Sequence, residues 1–265
     1  MKLLEPLFEA PGLPAYDLPS DLGERYGGRL GFATPRLYAN FVSSIDGVVA
    51  LGATPASPSV ISGRSEADRF VMGLLRACAQ AVLIGAGTLR AEPEHVWTPE
   101  HVYPQAGDAY ALLRRRLGLP GRPLLVVVTA SGEVDTDVPA LELGALIVTT
   151  DRGAEVLARS SQASIVPVGS GGAVELGRVV EELRKRGYGV VLTEGGPKVV
   201  GQLARERLLD ELFLTISPML AGRISSEDRP GVVDGVDLVP LWGELVSLRR
   251  HRSHLFARYN LESSQ

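Results

Sequence analysis

Leu192-Thr193-Glu194-Gly195-Gly196-Pro197-Lys198 puts a carboxylate and two glycines where an apolar run gives way to a segment of helical spacing. Residues 189–192 read as a buried strand and residues 197–207 as a helix with proline in its first turn. Glycine lets a ligand come close to the main chain, and the first N–H groups of a helix have no partner within it. Phosphate or diphosphate suits such a place. Glu194 would stand beside it at the carboxyl end of the strand. An ordinary strand-to-helix turn with a solvated acid has the same composition, so the motif alone leaves both readings open.

Two further segments carry polar groups at the ends of apolar runs. Asn40-Phe41-Val42-Ser43-Ser44-Ile45-Asp46-Gly47 reads as a strand ending in an acid and a glycine. Asp46 can orient a polar substrate there, although Asp-Gly is also a common turn signature. Gly85-Ala86-Gly87-Thr88-Leu89-Arg90-Ala91-Glu92-Pro93 follows a strand directly. Its glycines and Thr88 can hold a phosphate through main-chain N–H groups and a hydroxyl. Position 90 is arginine, so the segment lacks the third glycine of the dinucleotide fingerprint.

The elements that must position these groups alternate. Strands are expected at residues 37–43, 81–84, 124–128, 145–148, 165–168 and 189–192, and their nearly continuous apolar character requires a sheet covered on both faces. Helices are expected after Ser65, where Ser65 to Asp68 resembles a capping box, and at residues 106–117, 153–159, 174–186 and 197–207. A Gly/Pro/Ser-rich stretch, residues 47–63, reads as a loop bordering a site. Past a strand at 211–216, two segments, 244–249 and 255–261, read as an antiparallel pair turning at Arg252-Ser253. The fold class is therefore α/β, three layers, with a mostly parallel mixed sheet and antiparallel C-terminal edge strands. Residues 1–35, rich in Pro and Gly and without a period, read as an arm, and residues 36–265 as a single domain.

With 265 residues the chain is long enough for a sizeable core, and its net charge of -4 comes from dispersed acids and bases. That charge pattern argues against a nucleic-acid partner. Cys78 is the single cysteine, which excludes an internal disulfide and fits a reducing compartment. No apolar run approaches the ~20 residues that span a bilayer, and the first residues are too acidic for a signal peptide. A cytoplasmic protein without membrane contact is expected. His95, His101, His251 and His254 lie in separate polar stretches, and no metal site is expected among them.

Taken in order, Ser44-Ile45-Asp46-Gly47, Leu75-Arg76-Ala77, Gly85-Ala86-Gly87-Thr88, Glu194-Gly195-Gly196-Pro197, Leu209-Asp210-Glu211-Leu212 and Ser217-Pro218-Met219-Leu220-Ala221-Gly222 resemble the reductase domain of riboflavin biosynthesis. That family has a dihydrofolate-reductase-like fold, and the resemblance covers about residues 36–259. It implies NADPH-dependent reduction of the ribosyl group of 5-amino-6-(5-phosphoribosylamino)uracil to a ribityl chain.

By position, the resemblance implies catalytic roles for Glu194, Asp46 and Asn40, the last where many relatives carry Lys and others Asn. It implies substrate contacts from Ser44, Arg90 and Arg76, the Arg76 guanidinium gripping the ribose phosphate with two parallel hydrogen bonds. It implies cofactor contacts from Val42, Gly85, Gly87, Thr88, Glu92, Gly195, Gly196, Pro197, Lys198, Val199 and Val200. Preference for NADPH needs a cation near the 2′-phosphate, and Arg152 is the candidate, assisted by Ser131. Relatives in the family are typically dimers, so a homodimer is expected.

The chain also departs from the family. A Thr-x-x-x-Asp-x-Pro pattern followed by another Arg is usual, whereas here Glu92 and Pro93 lead into an excursion over residues 94–119. Two extra residues lie between Ser62 and Arg76. The zinc signature of the deaminase that often accompanies the reductase is not in the sequence, so deamination is expected from another protein. The excursion keeps open a reductase acting on another pyrimidine or pterin. The departures at Asn40 and Glu92 keep open a nucleotide-binding module without turnover.

Overall fold

The uninterrupted apolar runs become the inner strands of one sheet in a computed structural model that describes residues 3–52, 57–158, 164–169, 172–223 and 229–262. The strands are β1 (Glu5–Glu9), β2 (Arg36–Ser43), β3 (Ala81–Gly85), β4 (Leu124–Val128), β5 (Ala145–Thr149), β6 (Ser164–Pro167), β7 (Val190–Thr193), β8 (Glu211–Ile216), β9 (Glu244–His251) and β10 (His254–Asn260). Among the described residues their order across the sheet is β1-β9-β10-β8-β2-β7-β3-β4-β5-β6. From β8 to β6 every neighbour is parallel, while β10, β9 and β1 add an antiparallel edge.

Helices fill both faces. Before β3 come α1 (Ser20–Tyr26), α2 (Ser57–Ile61) and α3 (Glu66–Cys78). Between β3 and β4 lie α4 (Ala86–Ala91), α5 (Pro99–Val102) and α6 (Gly107–Arg116). Next are α7 (Pro139–Glu142), α8 (Asp151–Leu157), α9 (Leu176–Lys185) and α10 (Pro197–Arg205). One core forms where Phe70, Leu74 and Leu75 of α3 meet Tyr38, Val82 and Leu192 of the sheet. The other forms where Val179, Leu183, Val200 and Leu203 of α9 and α10 cover Leu37, Leu83 and Val191. Neighbouring strand residues thus point to opposite faces, both dry, which is why the strands show no polar alternation.

Cap chemistry sets the start of α3. The Ser65 hydroxyl accepts from the Asp68 N–H at 3.3 Å, as the Ser65 to Asp68 spacing predicts. The Asp68 carboxylate does not complete a capping box but bonds the hydroxyls of Thr215 and Ser62, on the sheet side of the helix. The stretch 47–63 contains α2; its residues 53–56 lie outside the described ones, as does residue 159 of the helix expected at 153–159.

Residues ahead of Arg36, which show no period in the sequence and read there as an arm, contribute β1, α1 and the core residues Leu4, Leu22, Tyr26, Leu30 and Phe32. Two buried arginines fasten them. Arg249 of β9 donates to Glu9 of β1 and, at 3.0 Å, to the Tyr26 carbonyl of α1, with its guanidinium 3.9 Å from the Tyr26 ring centroid. Arg258 of β10 pairs with Glu211 at 2.6 Å and donates to the Gly31 carbonyl. Since both anchors lie more than 200 positions along the chain, no local period could reveal the packing. Cys78 is buried and unpaired, and burial pushes its thiol up to about 12.

Candidate active site at the carboxyl ends of the central strands

β3 and β7 are direct neighbours, so the turns that follow them open side by side. The Glu194 N–H donates to the Leu83 carbonyl of β3, and the Gly195 N–H to the Thr193 hydroxyl. A Cβ on Gly195 would stand 2.8 Å from Val199 of α10, and one on Gly85 3.1 Å from the same side chain. Those glycines therefore serve close packing. Gly196 faces Thr88 at 3.7 Å and no side chain caps the α10 N-terminus it begins. Gly85, Gly87, Thr88, Gly195, Gly196 and Pro197 are thus brought together, with Lys198 exposed beside them and Val200 buried beneath. Residues 130–132 and the start of α8 also adjoin: the Thr150 hydroxyl donates to the Ala130 carbonyl, which brings Ser131 and the exposed Arg152 to neighbouring turns.

Glu194 has a partner of its own. Arg76, near the C-terminal end of α3 and 1% exposed, points back along its helix toward the strand ends. Its Nε lies 3.2 and 3.1 Å from the two Glu194 carboxylate oxygens, and Nη2 lies 2.7 Å from Oε2. Nη1 donates to the carbonyls of Val96 at 3.4 Å and Thr98 at 3.3 Å, and Nη2 also meets His95 Nε2 at 2.9 Å. A guanidinium has five N–H donors, and these contacts occupy all five. Each of these donors thus meets an acceptor within the protein.

Asp46 and Ser44 are likewise committed. The Asp46 carboxylate accepts from the N–H groups of Ala221 at 3.0 Å and Gly222 at 2.7 Å. The Ser44 hydroxyl and these amides hold its pKa well below the usual carboxylate range, so it is an anchor for residues 219–222 and a poor proton donor. Ser44 Oγ accepts from the Val48 N–H at 2.9 Å and shapes the same turn. Asn40, in the middle of β2, lines a small void of about 10 Å³ with Val71, Thr215 and Arg258. Val42, on the same strand, is buried, and Arg90 is exposed at the end of α4.

Sequence reasoning missed two groups. His95, which lies in a polar stretch of the sequence, is wedged between Arg76 and Glu92, whose Oε2 lies 3.5 Å from His95 Nδ1. Burial, then the nearby Arg76 and His101, pushes its pKa down to about 3. Burial also raises Glu92, opposed by Arg76 and reinforced by Glu194. Asp68 is the second: burial, and more weakly Glu194, raises it to about 6 against the hydrogen bonds of Thr215 and Ser62. Its only sequence signal is an acid on a helix face that otherwise carries apolar residues.

A mostly parallel sheet covered by helices on both sides, with an acid and uncapped helix amides at the carboxyl ends of adjacent parallel strands, defines an α/β class of fold whose crevice at the strand ends is where such sheets hold their ligands. The chain belongs to the family described as the RibD C-terminal domain, whose model matches residues 35–251. It is 26% identical over 207 residues to the 2,5-diamino-6-ribosylamino-4(3H)-pyrimidinone 5′-phosphate reductase of Archaeoglobus fulgidus, covering 76% of this chain and 87% of the relative. Its fold is similar to that of a pyrimidine reductase-like protein from Corynebacterium diphtheriae, with a TM-score of 0.68, 22% identity, and coverage of 87% of this chain and 93% of that one. RibD of Acinetobacter baumannii has a TM-score of 0.66 at 17% identity, covering 87% of this chain and 59% of that larger one. No helix among the described residues is long and apolar enough to cross a membrane, and they contain no group of three His, Cys, Asp or Glu able to hold a metal ion.

Proposed function

We propose that this chain is an NADPH-dependent reductase acting on the ribosyl group of a ribosylaminopyrimidine 5′-phosphate, 5-amino-6-(5-phosphoribosylamino)uracil in particular, to form the ribityl chain. The observation that carries the reading is the meeting of Glu194 with the uncapped N-terminus of α10 and the Gly85 to Thr88 turn, in a chain of this family. Main-chain N–H groups at Gly196 and Lys198 suit a diphosphate, and Thr88 adds a hydroxyl. Arg152, with Ser131 on the adjoining turn, is the candidate for the 2′-phosphate. When bound, a reduced nicotinamide supplies the hydride. Glu194, held from behind by Arg76, orients the substrate. Asp46 holds residues 219–222 over the end of β2, and Asp68 is the acid that keeps a proton to about pH 6.

The commitment of all five Arg76 donors favours a second reading, a reductase of another pyrimidine or pterin that presents no phosphate to Arg76. Following the near-ultraviolet absorbance of NADPH with the phosphorylated ribosylaminopyrimidine, its dephosphorylated form and a dihydropterin separates the two. Turnover of the phosphorylated compound alone supports the first; turnover of the others at equal or higher kcat/KM supports the second; NADPH binding without turnover of any removes both. A cytoplasmic homodimer belongs to the same reading, and Leu220, Val239 and Trp242, the last 90% exposed, are apolar groups it would cover. A single-chain mass in sedimentation would refute the dimer.

A further inference from the structure

The excursion over residues 94–119 is built onto the back of the site. From α6, Arg114 Nη1 donates to the carbonyls of Arg76 at 3.2 Å, Ala77 at 3.2 Å and Ala79 at 2.7 Å, gripping the last turn of α3. Ahead of it, Val96 and Thr98 supply the carbonyls that hold the Arg76 side chain. The same segment therefore fixes both the backbone and the guanidinium of Arg76.

His95 completes the enclosure, and the chemistry of its contact dictates its tautomer. Arginine offers donors only, so His95 Nε2, 2.9 Å from Arg76 Nη2, must present a lone pair. The ring proton is then on Nδ1, facing Glu92 Oε2. The ring meets Trp97 and His101 edge to face, at centroid distances of 4.9 and 4.8 Å, which leaves it little freedom to turn. The charged and titratable groups around it are Arg76 of α3, Glu92 at the end of α4, and His101 and Glu100 of α5.

We propose that His95 is a positioning residue: a neutral imidazole that accepts from Arg76 and locks the guanidinium on Glu194, so that residues 94–98 set the orientation of the acid that meets the ligand. Arg76 is then a positioning residue as well. The consequences for turnover rest on the reductase reading; the lock itself does not. Glu194 has little other restraint on its side chain, and a group misplaced by about 1 Å can lose roughly 100-fold in rate.

Full-length His95→Phe keeps a ring but has no acceptor, whereas His95→Gln keeps an acceptor on a flexible stem. With the reductase substrate, His95→Phe is expected to lower kcat by roughly 10- to 100-fold with KM changed less than about 3-fold, and His95→Gln to recover most of the loss. A KM rise at unchanged kcat would make His95 a ligand contact, and native kcat in His95→Phe would leave nothing to position; either overturns the proposal. A substrate-free arm uses ¹⁵N-labelled wild type: nitrogen–proton spectra should show His95 protonated on Nδ1 only and still neutral at pH ~5.5, where an ordinary histidine is mostly charged. An imidazolium, or a proton on Nε2, at that pH refutes the lock even if the enzyme proves to have no turnover. Absence of turnover in wild type with a neutral Nδ1–H ring removes the reductase reading and leaves the lock standing.

Discussion

The two walls of the cleft treat hydrogen-bond donors in opposite ways. On the β7–α10 side the main chain stays uncapped at Gly196 and the glycines bring other atoms close. On the α3 side the strongest donor available, the Arg76 guanidinium, has every N–H engaged by Glu194, His95, Val96 and Thr98. A charge that looks suited to an anion in sequence is thus paired within the protein, while the neutral peptide groups at the start of α10 have no side-chain cap. Burial explains the difference, because a buried guanidinium without partners is far costlier than a few helix-end amides left to solvent.

Breaking the pair that joins the walls should have the largest effect. Glu194→Gln leaves the Arg76 cation buried with a neutral partner, side chains that are only 2% and 10% exposed in the native pair. A loss of about 3–5 kcal/mol in urea unfolding is expected, with kcat falling by roughly 100-fold or more. Native unfolding with native kcat would mean the two walls are independent.

Next in size, Gly195→Ala tests the amide wall alone. Its Cβ would press on Val199 at 2.8 Å, shifting the start of α10, and the NADPH dissociation constant from calorimetry is expected to rise about tenfold. Gly196→Ala, with open space beyond Thr88 and φ of -62°, should fold with unchanged thermal stability. If Gly195→Ala binds NADPH as wild type does, α10 does not hold the diphosphate.

Asp68 sharpens the α3 wall through pH. Its folded pKa of about 6 lies above the unfolded value, so its neutral form favours folding below the unfolded pKa, and that contribution is lost as pH rises through about 6. Asp68→Asn should therefore be more stable than wild type at pH ~8, by about 2 kcal/mol, and the gap should close toward pH ~4. A pH-independent difference would place the carboxylate's ionisation outside the folding equilibrium. The smallest effect is expected at Arg152, exposed at the start of α8: Arg152→Ala should weaken NADPH roughly 3- to 10-fold more than NADH. Equal loss for both cofactors would remove Arg152 from the 2′-phosphate.

Legibility followed the range of the forces involved. Strands β2 to β8 and helices α3, α6, α9 and α10 announce themselves because their apolar periods are local and continuous. The Glu194 turn was readable for the same reason, being a strand end, glycines and a helix start in sequence. Ser65 was readable as the α3 cap, but the Asp68 side chain turned away from its expected role because Thr215, from a distant strand, offered it a hydroxyl. His95 was illegible, since its meaning lies in a guanidinium 19 positions earlier that it reaches only after the chain has passed through β3 and α4.

By itself, then, the sequence determined a doubly covered, mostly parallel sheet and the turns that end its strands, because hydrophobic period, glycine and cap preferences act over a few residues. Tertiary structure alone decided that residues 3–35 join the sheet and core through Arg249 and Arg258, and that Arg76 belongs to Glu194. A buried charge takes whichever partners the fold brings within reach, and that choice is made in space, among groups the chain order keeps apart.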